Sequence, residues 1–284
     1  MKSKGRFRLI KAVLLAIMVI SLIPVVQAYY LSWEHERQWD ELRESLLAEE
    51  NVQGDRLTKD TDTSTKDPSI RAGVSEEADV PGLVMLQRFE KLYEENHDLA
   101  AWLSIEGMSI DYPVMQCEDD EYYLHHDFYG NADKYGCLYV RNSANVNSGT
   151  NFIIYGHDMK DGSMFGDLDL YQKESFYLEH PMISFDTLYE ERTYEIIAVF
   201  RSQVYSEGEE VFKYYEFYQA DTQEEFDDFY RNIKEVSLYD TGVTAEFGDT
   251  FLTLSTCDYY VEDGRFVVVA KRIMDASRLT QICL

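Results

Sequence analysis

Short apolar runs separated by turn residues make up most of the chain after about residue 82. Eight of these runs have the length of β-strands, and they span residues 101–105, 110–114, 136–140, 151–155, 182–186, 193–204, 250–254 and 266–271. Many short strands with few helices between them are typical of a closed or nearly closed β-barrel. The pattern therefore predicts a mainly β domain, an eight-stranded barrel, over residues 82–284.

Two segments of this domain have apolar residues at helical spacing instead. Residues 83–99 predict an N-terminal helix, and residues 222–236 predict a helical insertion between two late strands. The apolar faces are formed by Leu83, Leu86, Phe89, Leu92 and Tyr93 in the first segment and by Phe226, Phe229, Tyr230 and Ile233 in the second. Acidic residues at the start of the second segment favour a helix there, because they complement the positive end of the helix dipole.

Residues 1–31 have the composition of a membrane anchor. Five basic residues and no acidic one precede an uncharged apolar run over residues 12–30. Extended to residues 9–31, the run is long enough to cross a bilayer core of ~30 Å. Basic residues flanking such a segment stay in the cytoplasm, so a transmembrane helix with a cytoplasmic N-terminus and an extracellular body is predicted.

A cleaved signal peptide is the alternative to an uncleaved anchor. The segment Val26-Gln27-Ala28 offers small residues of the kind found at cleavage sites. The apolar run continues past this point to Leu31, which favours the anchor. In both interpretations the rest of the chain lies outside the cytoplasm.

Residues 32–81 are expected to connect the anchor to the barrel. Residues 32–50 place apolar side chains at helical spacing among many charges, which predicts a juxtamembrane helix. Residues 51–81 contain few large apolar side chains and many acidic, hydroxyl and lysine residues. A segment of this composition buries too little surface to fold, so we expect a flexible, acidic tether.

The chain is strongly acidic, because 26 Lys and Arg stand against 53 Asp and Glu, a net charge of −27. This charge repels phosphate backbones, so no nucleic-acid partner is expected. The four cysteines form no CxxC pair, which disfavours a zinc site or a disulfide framework. Free thiols are predicted at Cys117 and Cys137, with a disulfide between them as the alternative. The adjacent His125 and His126 lack further ligands at a useful spacing, so no metal and no cofactor is predicted.

Three residues of the barrel could form a thiol-based active site. The apolar run TLSTC ends in Cys257, and the run NFIIYGH ends in His157. Arg265 starts the next apolar run, and a hairpin would return its guanidinium to the sulfur. Taken singly, the cysteine fits a core residue and the arginine a solvated strand edge. Together they supply a nucleophile, a base and a positive charge for an oxyanion.

These segments resemble the sortases, and specifically the class B sortases, the membrane-anchored cysteine transpeptidases of Gram-positive bacteria. The resemblance extends from about residue 83 to residue 273. It is carried by the segments TLSTC, IIYGHDMKDGSMFGDL, GRFVVVAKR, WLSIEGMSIDYPVMQ and DDEYYLHHDFYG. Asp158 and Asp120 depart from the family, which often has Asn at both positions, and both add negative charge near the expected groove.

The resemblance implies a sortase-type barrel and a role for each matching residue. Cys257 corresponds to the nucleophile, His157 to the general acid and base, and Arg265 to the residue that stabilises the oxyanion. The substrate would be an LPxTG-like or NPxTN-like sorting signal near the C-terminus of a secreted protein. The attacking amine would come from a peptidoglycan cross-bridge or from a pilin lysine. Residues expected to line the signal groove are Asp120, Leu124, Tyr155 and Ser255.

Two other functions are compatible with the same motifs. One is a non-catalytic, membrane-tethered binding or assembly domain that retains the sortase fold. The other is a plain cysteine endopeptidase, which releases its product instead of joining it to an amine. The presence of the cysteine, the histidine and the arginine together favours the transpeptidase.

Overall fold

A computed structural model describes residues 2–59 and 84–273. The chain divides into two compact units, residues 1–62 and residues 63–284. The first unit contains helix α1 (Lys2–Lys59). Among the described residues, α1 contains the one stretch long and apolar enough to cross a membrane, with a mean hydropathy of 2.2. The predicted anchor and juxtamembrane helix thus belong to one continuous helix.

The predicted tether over residues 51–81 is described only at its start. Residues 51–59 continue helix α1, so the helix extends further than the composition of this segment indicates. The rest of the predicted tether, residues 60–81, lies outside the described residues.

The second unit contains the predicted barrel. Its strands are β1 (Leu99–Ser104), β2 (Asp111–Met115), β3 (Leu138–Val140), β4 (Asn151–Tyr155), β5 (Met182–Thr187), β6 (Thr193–Gln203), β7 (Phe251–Asp258) and β8 (Gly264–Ile273). They form a closed barrel in the order β1-β2-β3-β4-β7-β8-β6-β5, in which β5 also pairs with β1. The β2–β3 and β4–β7 pairs are parallel, and the other pairs are antiparallel. The prediction of an eight-stranded barrel is confirmed.

The α-helices in the described part of this unit are α2 (Gln87–Glu95), α3 (Glu174–Glu179) and α4 (Gln223–Val236). Helix α2 is shorter than the predicted segment 83–99, and residue 99 already belongs to β1. Asn96 ends the helix, because its side chain accepts a hydrogen bond from the Asp98 amide and donates to the Phe128 carbonyl. Such local side-chain bonds compete with the helical backbone pattern.

Helix α4 is the predicted insertion, and it lies between β6 and β7 in the sequence. Thr222 and Glu225 form a capping box at its start, which satisfies backbone amides that the helix leaves unpaired. Its buried face includes Phe226, whose ring stacks on Phe251 of β7 with centroids 5.3 Å apart. Burying a phenylalanine side chain stabilises a fold by about 1.5–3 kcal/mol. The helix therefore fixes the start of the strand that contains Cys257.

Candidate active site

The parallel pairing of β4 and β7 brings His157 and Cys257 to the same level of the barrel. In this register Tyr155 is paired with Ser255. His157 lies two residues after Tyr155, and Cys257 lies two residues after Ser255. The pairing continues past Tyr155, because the Gly156 amide donates to the Ser255 carbonyl at 3.3 Å. Side chains two residues apart on a strand share one face. The imidazole and the thiol therefore start from equivalent positions on neighbouring chain segments.

The antiparallel pairing of β7 and β8 places Arg265 directly opposite Cys257. A tight connection returns the chain, and Gly264 is required in it, because a Cβ there would lie 2.2 Å from the Asp258 carbonyl oxygen. The Arg265 guanidinium donates to the carbonyls of Asp263 and Gly264 at 3.2 and 2.8 Å. The register thus gives Cys257 a cationic neighbour on one side and the histidine segment on the other.

A backbone carbonyl determines which nitrogen of His157 is available. Nε2 lies 2.8 Å from the carbonyl oxygen of Leu124. A carbonyl only accepts hydrogen bonds, so Nε2 must carry a proton and donate it. Nδ1 is then the nitrogen that can exchange a proton with other groups. Leu124, predicted to line the groove, therefore also orients the imidazole through its main chain.

Gly136 fixes the position of the Leu124 carbonyl. This glycine has a φ of +60°, and a Cβ there would lie 2.4 Å from the Tyr123 oxygen and 2.7 Å from the Leu124 oxygen. The Cys137 amide donates to the Tyr123 carbonyl at 2.8 Å and holds the turn in place. Close backbone approach of this kind is available only to glycine.

The three described cysteines are all free thiols. The alternative of a disulfide between Cys117 and Cys137 is therefore wrong. Burial raises the pKa of the Cys137 thiol well above its usual value. Burial also raises the pKa of the Cys117 thiol; the hydrogen bond to the Asp119 backbone opposes this, and the carboxylates of Asp98, Asp119 and Asp120 each add a smaller rise. Because only the thiolate is a good nucleophile, both are poor candidates for catalysis.

A groove of about 760 Å³ extends from Arg265 along β4 and β3. Of the residues predicted to bind the signal, Asp120, Leu124 and Tyr155 line it. Ser255 does not line it: its side chain is buried, with Oγ 2.7 Å from the hydroxyl of Tyr214. Tyr214 is a groove residue, so the Ser255 hydroxyl contacts the groove wall through this tyrosine.

Asp120 also has a structural contact within the groove wall. One of its carboxylate oxygens accepts a hydrogen bond from the Asn142 amide at 2.7 Å. On the other side of this segment, the Gln116 side chain donates to the Arg141 carbonyl at 2.8 Å. The main chain at residues 141 and 142 is therefore held by two side chains.

The sequence reasoning missed most of the groove wall. Five tyrosines line it together with Arg141, and only Tyr155 among them was predicted: Tyr139, Tyr155, Tyr214, Tyr215 and Tyr218. Tyr139 stacks on Tyr155 with ring centroids 5.6 Å apart, and the Arg141 guanidinium lies over the Tyr155 ring at 5.2 Å. The high tyrosine content, 22 residues, was the only signal for this surface in the sequence. It does not indicate which tyrosines converge.

Cys257 itself lines a second cavity of about 410 Å³ along the β7–β8 connection, which shares Arg265 with the larger groove. Asp258 follows Cys257 directly and pairs with the Arg201 Nε at 2.6 Å. Asp158 follows His157, and burial, then the carboxylates of Asp169 and Asp258, raise its pKa. In residues 2–59 and 84–273, no group of three or more His, Cys, Asp or Glu side chains could hold a metal ion.

Comparison with known proteins identifies this arrangement. The sortase domain family matches residues 103–273. Sortase B of Listeria monocytogenes is 34% identical over 190 residues, which cover 64% of this chain and 72% of the relative. Sortase B of Staphylococcus aureus is 30% identical over 194 residues, covering 67% of this chain and 76% of the relative. The crystal structure of sortase B from B. anthracis has a TM-score of 0.59 and 32% identity, and covers 68% of this chain and 90% of that chain.

The chain therefore belongs to the sortase family of cysteine transpeptidases. Its relatives and its fold assign it to class B. The resemblance inferred from the sequence motifs is confirmed.

Proposed function

We propose that this protein is a membrane-anchored sortase that cleaves sorting signals of secreted proteins and transfers them to an amine. The catalytic residues are Cys257, His157 and Arg265. The observation that supports this most is the strand register, in which β7 presents Cys257 between Arg265 of β8 and the end of β4. A thiol, an imidazole and a guanidinium are the groups that acyl transfer through a thioester requires.

The first half of the reaction forms an acyl-enzyme. The Cys257 thiol first passes its proton to Nδ1 of His157, which leaves a thiolate and an imidazolium. The thiolate attacks the scissile carbonyl carbon of the signal, and a carbon–sulfur bond forms while the carbonyl becomes an oxyanion. The Arg265 guanidinium stabilises this oxyanion by hydrogen bonds and charge. The carbon–nitrogen bond then breaks, and Nδ1 of His157 gives its proton to the leaving amine. A thioester on Cys257 remains.

The second half returns the enzyme to its starting state. An acceptor amine attacks the thioester carbon while His157 takes the proton that this amine loses. The carbon–sulfur bond breaks, and the Cys257 thiolate leaves. The acceptor is the amine of a peptidoglycan cross-bridge or of a pilin lysine, and the donor carries an LPxTG-like or NPxTN-like signal.

The same proposal includes the location of the protein. Residues 1–31 form a single-pass anchor with a cytoplasmic N-terminus, residues 32–81 connect it to the barrel, and residues 82–284 form an extracellular catalytic domain. The apolar stretch of α1 and the basic residues before it support this orientation. An anchored enzyme would meet its substrates as they leave the membrane.

The test uses the full-length protein in detergent with a fluorogenic signal peptide, with and without an amine acceptor. We expect a ligated product that depends on the amine, and we expect Arg265→Ala to lower the acylation rate by ~100-fold or more. Arg265→Lys keeps the charge and separates its effect from that of the guanidinium geometry. Cleavage without ligation would support the endopeptidase, and no reaction would support the non-catalytic binding domain.

A further inference from the structure

Two loops hold His157, one by its side chain and the other by its main chain. The loop before β3 (residues 122–137) provides the Leu124 carbonyl, which accepts the hydrogen bond from Nε2 at 2.8 Å. The loop after β4 (residues 156–167) returns to the histidine, because the Phe165 amide donates to the His157 carbonyl at 2.9 Å. The orientation of the imidazole therefore depends on how the two loops lie relative to each other.

The loop after β4 contains a strained residue. Met164 is buried and has a φ of +53°, a backbone conformation that is unfavourable for a residue with a side chain. A bridge between Asp158 and Met164 closes the loop next to His157. A residue in such a conformation persists only where its surroundings hold it. The position of Phe165, the next residue, therefore depends on contacts made elsewhere in the loop.

Asp161 makes such a contact, because its carboxylate bonds to both loops. Oδ1 accepts hydrogen bonds from the amide and the hydroxyl of Ser163, at 3.2 and 2.6 Å, within the loop after β4. Oδ2 accepts a hydrogen bond from the hydroxyl of Tyr135 at 2.9 Å, in the loop before β3. A hydrogen bond to a carboxylate is stronger than one between neutral groups. Tyr135 and Asp161 thus join the two loops that hold His157.

Tyr135 is in the middle of a segment that bonds to both neighbours of Leu124. Two positions before Tyr135, the Asp133 amide donates to the carbonyl of the residue after Leu124 at 2.8 Å. Two positions after Tyr135, the Cys137 amide donates to the carbonyl of the residue before Leu124, also at 2.8 Å. The Tyr135 ring itself is buried. A shift of this tyrosine would therefore move the carbonyl that orients the imidazole.

We propose that Tyr135 and Asp161 are positioning residues that hold the imidazole of His157 in its catalytic orientation. Their hydrogen bond closes a ring of contacts, which runs from the imidazole to Leu124, across the two loops and back to the His157 carbonyl. Neither side chain lines the groove or the cavity at Cys257, so both act on the histidine and not on the bound signal. The inference rests on the proposed function, in which Nδ1 of His157 exchanges protons with the thiol and the amines.

Tyr135→Phe removes the hydroxyl and keeps the buried ring. We measure single-turnover acylation by a signal peptide with the full-length protein in detergent. The maximal rate should fall by ~10-fold, because a displaced imidazole transfers protons less well. The peptide concentration that gives half of this rate should stay within ~2-fold, because the groove is unchanged.

Two substitutions of Asp161 separate the hydrogen bond from the charge. Asp161→Ala removes the acceptor and should lower the maximal rate as Tyr135→Phe does. Asp161→Asn removes the charge but keeps a carbonyl oxygen that can accept from Tyr135, so its rate should stay within ~3-fold of the unsubstituted protein. Because the two residues act through one bond, the double variant Tyr135→Phe with Asp161→Ala should be no slower than the slower single variant, within ~2-fold.

Tyr177→Phe is the matched control. Tyr177 of α3 is also buried, and its hydroxyl donates to the Thr241 carbonyl at 3.1 Å, outside both loops. The control should lower the melting temperature about as much as Tyr135→Phe does, and it should leave acylation unchanged.

Amide hydrogen exchange, followed by mass spectrometry, tests the ring of contacts without a substrate. Exchange over residues 157–167 should become faster in Tyr135→Phe and in Asp161→Ala, since the Phe165 amide loses protection when the loop is released. It should stay unchanged in Tyr177→Phe.

Four results would overturn the inference. The first is full acylation by Tyr135→Phe. The second is a higher half-saturating peptide concentration with an unchanged maximal rate, since this would indicate a role in binding the signal. The third is a loss in Asp161→Asn as large as in Asp161→Ala, since the charge would then be what acts on His157. The fourth is unchanged exchange over residues 157–167 in Tyr135→Phe. If the unsubstituted protein acylates with no peptide, the proposed function is wrong, and the exchange measurement alone decides whether Tyr135 and Asp161 hold His157.

Discussion

A methyl group added at Gly136 would disturb His157 without touching it. The Cβ of an alanine there would lie 2.7 Å from the Leu124 oxygen and 2.4 Å from the Tyr123 oxygen. The Leu124 carbonyl is the acceptor for His157 Nε2 at 2.8 Å. Gly136→Ala therefore tests whether this backbone contact holds the imidazole in its working position.

The size of the effect follows from the contact distances. Ordinary contact begins at about 3.4 Å, so the Leu124 oxygen must retreat by ~0.7 Å. If the imidazole does not follow, its hydrogen bond lengthens to ~3.5 Å and is largely lost. The positive φ adds strain of ~1–2 kcal/mol, and the weakened hydrogen bonds add ~0.5–1.5 kcal/mol. A displacement approaching 1 Å at a catalytic group lowers the rate by up to ~100-fold.

Gly242→Ala is the control for this substitution. Gly242 has a φ of +74°, and nothing lies within 4 Å of the position of its Cβ. It reproduces the backbone strain without the collision. Urea unfolding gives the stability of both variants, and single-turnover acylation by a signal peptide gives their activity. We expect only Gly136→Ala to lose acylation by ~10–100-fold. Equal stability losses with full acylation in both variants would refute the argument.

Two further predictions concern side chains next to the groove and the histidine. Ser255→Ala removes the hydrogen-bond partner of the buried Tyr214 hydroxyl, so the free energy of unfolding should fall by ~1–3 kcal/mol. Because Tyr214 lines the groove, KM for the signal peptide should rise while kcat is retained. An unchanged KM would contradict this. Asp158→Asn should raise the melting temperature at pH 7, because burial, Asp169 and Asp258 raise the pKa of Asp158 and make its charged form unfavourable in the folded state. The gain should vanish below the unfolded pKa of ~3.9, where Asp158 is neutral in both states; a gain that persists there would contradict the reasoning.

The apolar pattern predicted the barrel, but it placed the end of strand β7 too early. Strand β7 was predicted to end at residue 254, whereas it continues to Asp258. Ser255 and Thr256 interrupt the apolar run, yet both are buried, because Tyr214 and the Gly156 carbonyl provide hydrogen bonds for their hydroxyls. Such partners come from distant segments, so a local pattern does not reveal them.

The residues of the candidate site were also predicted only in part. Cys257, His157 and Arg265 could be selected because each lies in a recognisable motif, and the strand registers then bring their chain segments together. Arg141 lies in no motif, and its place in the groove depends on the short β3–β4 pairing. The helical insertion was predicted because its apolar periodicity and the acidic residues at its start agree.

The most direct test of the proposed mechanism is the site of the acyl group. The full-length protein is mixed with a signal peptide without an acceptor, quenched, digested and examined by mass spectrometry. The account predicts a hydroxylamine-sensitive thioester on Cys257, and no adduct in Cys257→Ala. An adduct on Cys117 or Cys137, or continued cleavage of the peptide by Cys257→Ala, would contradict it.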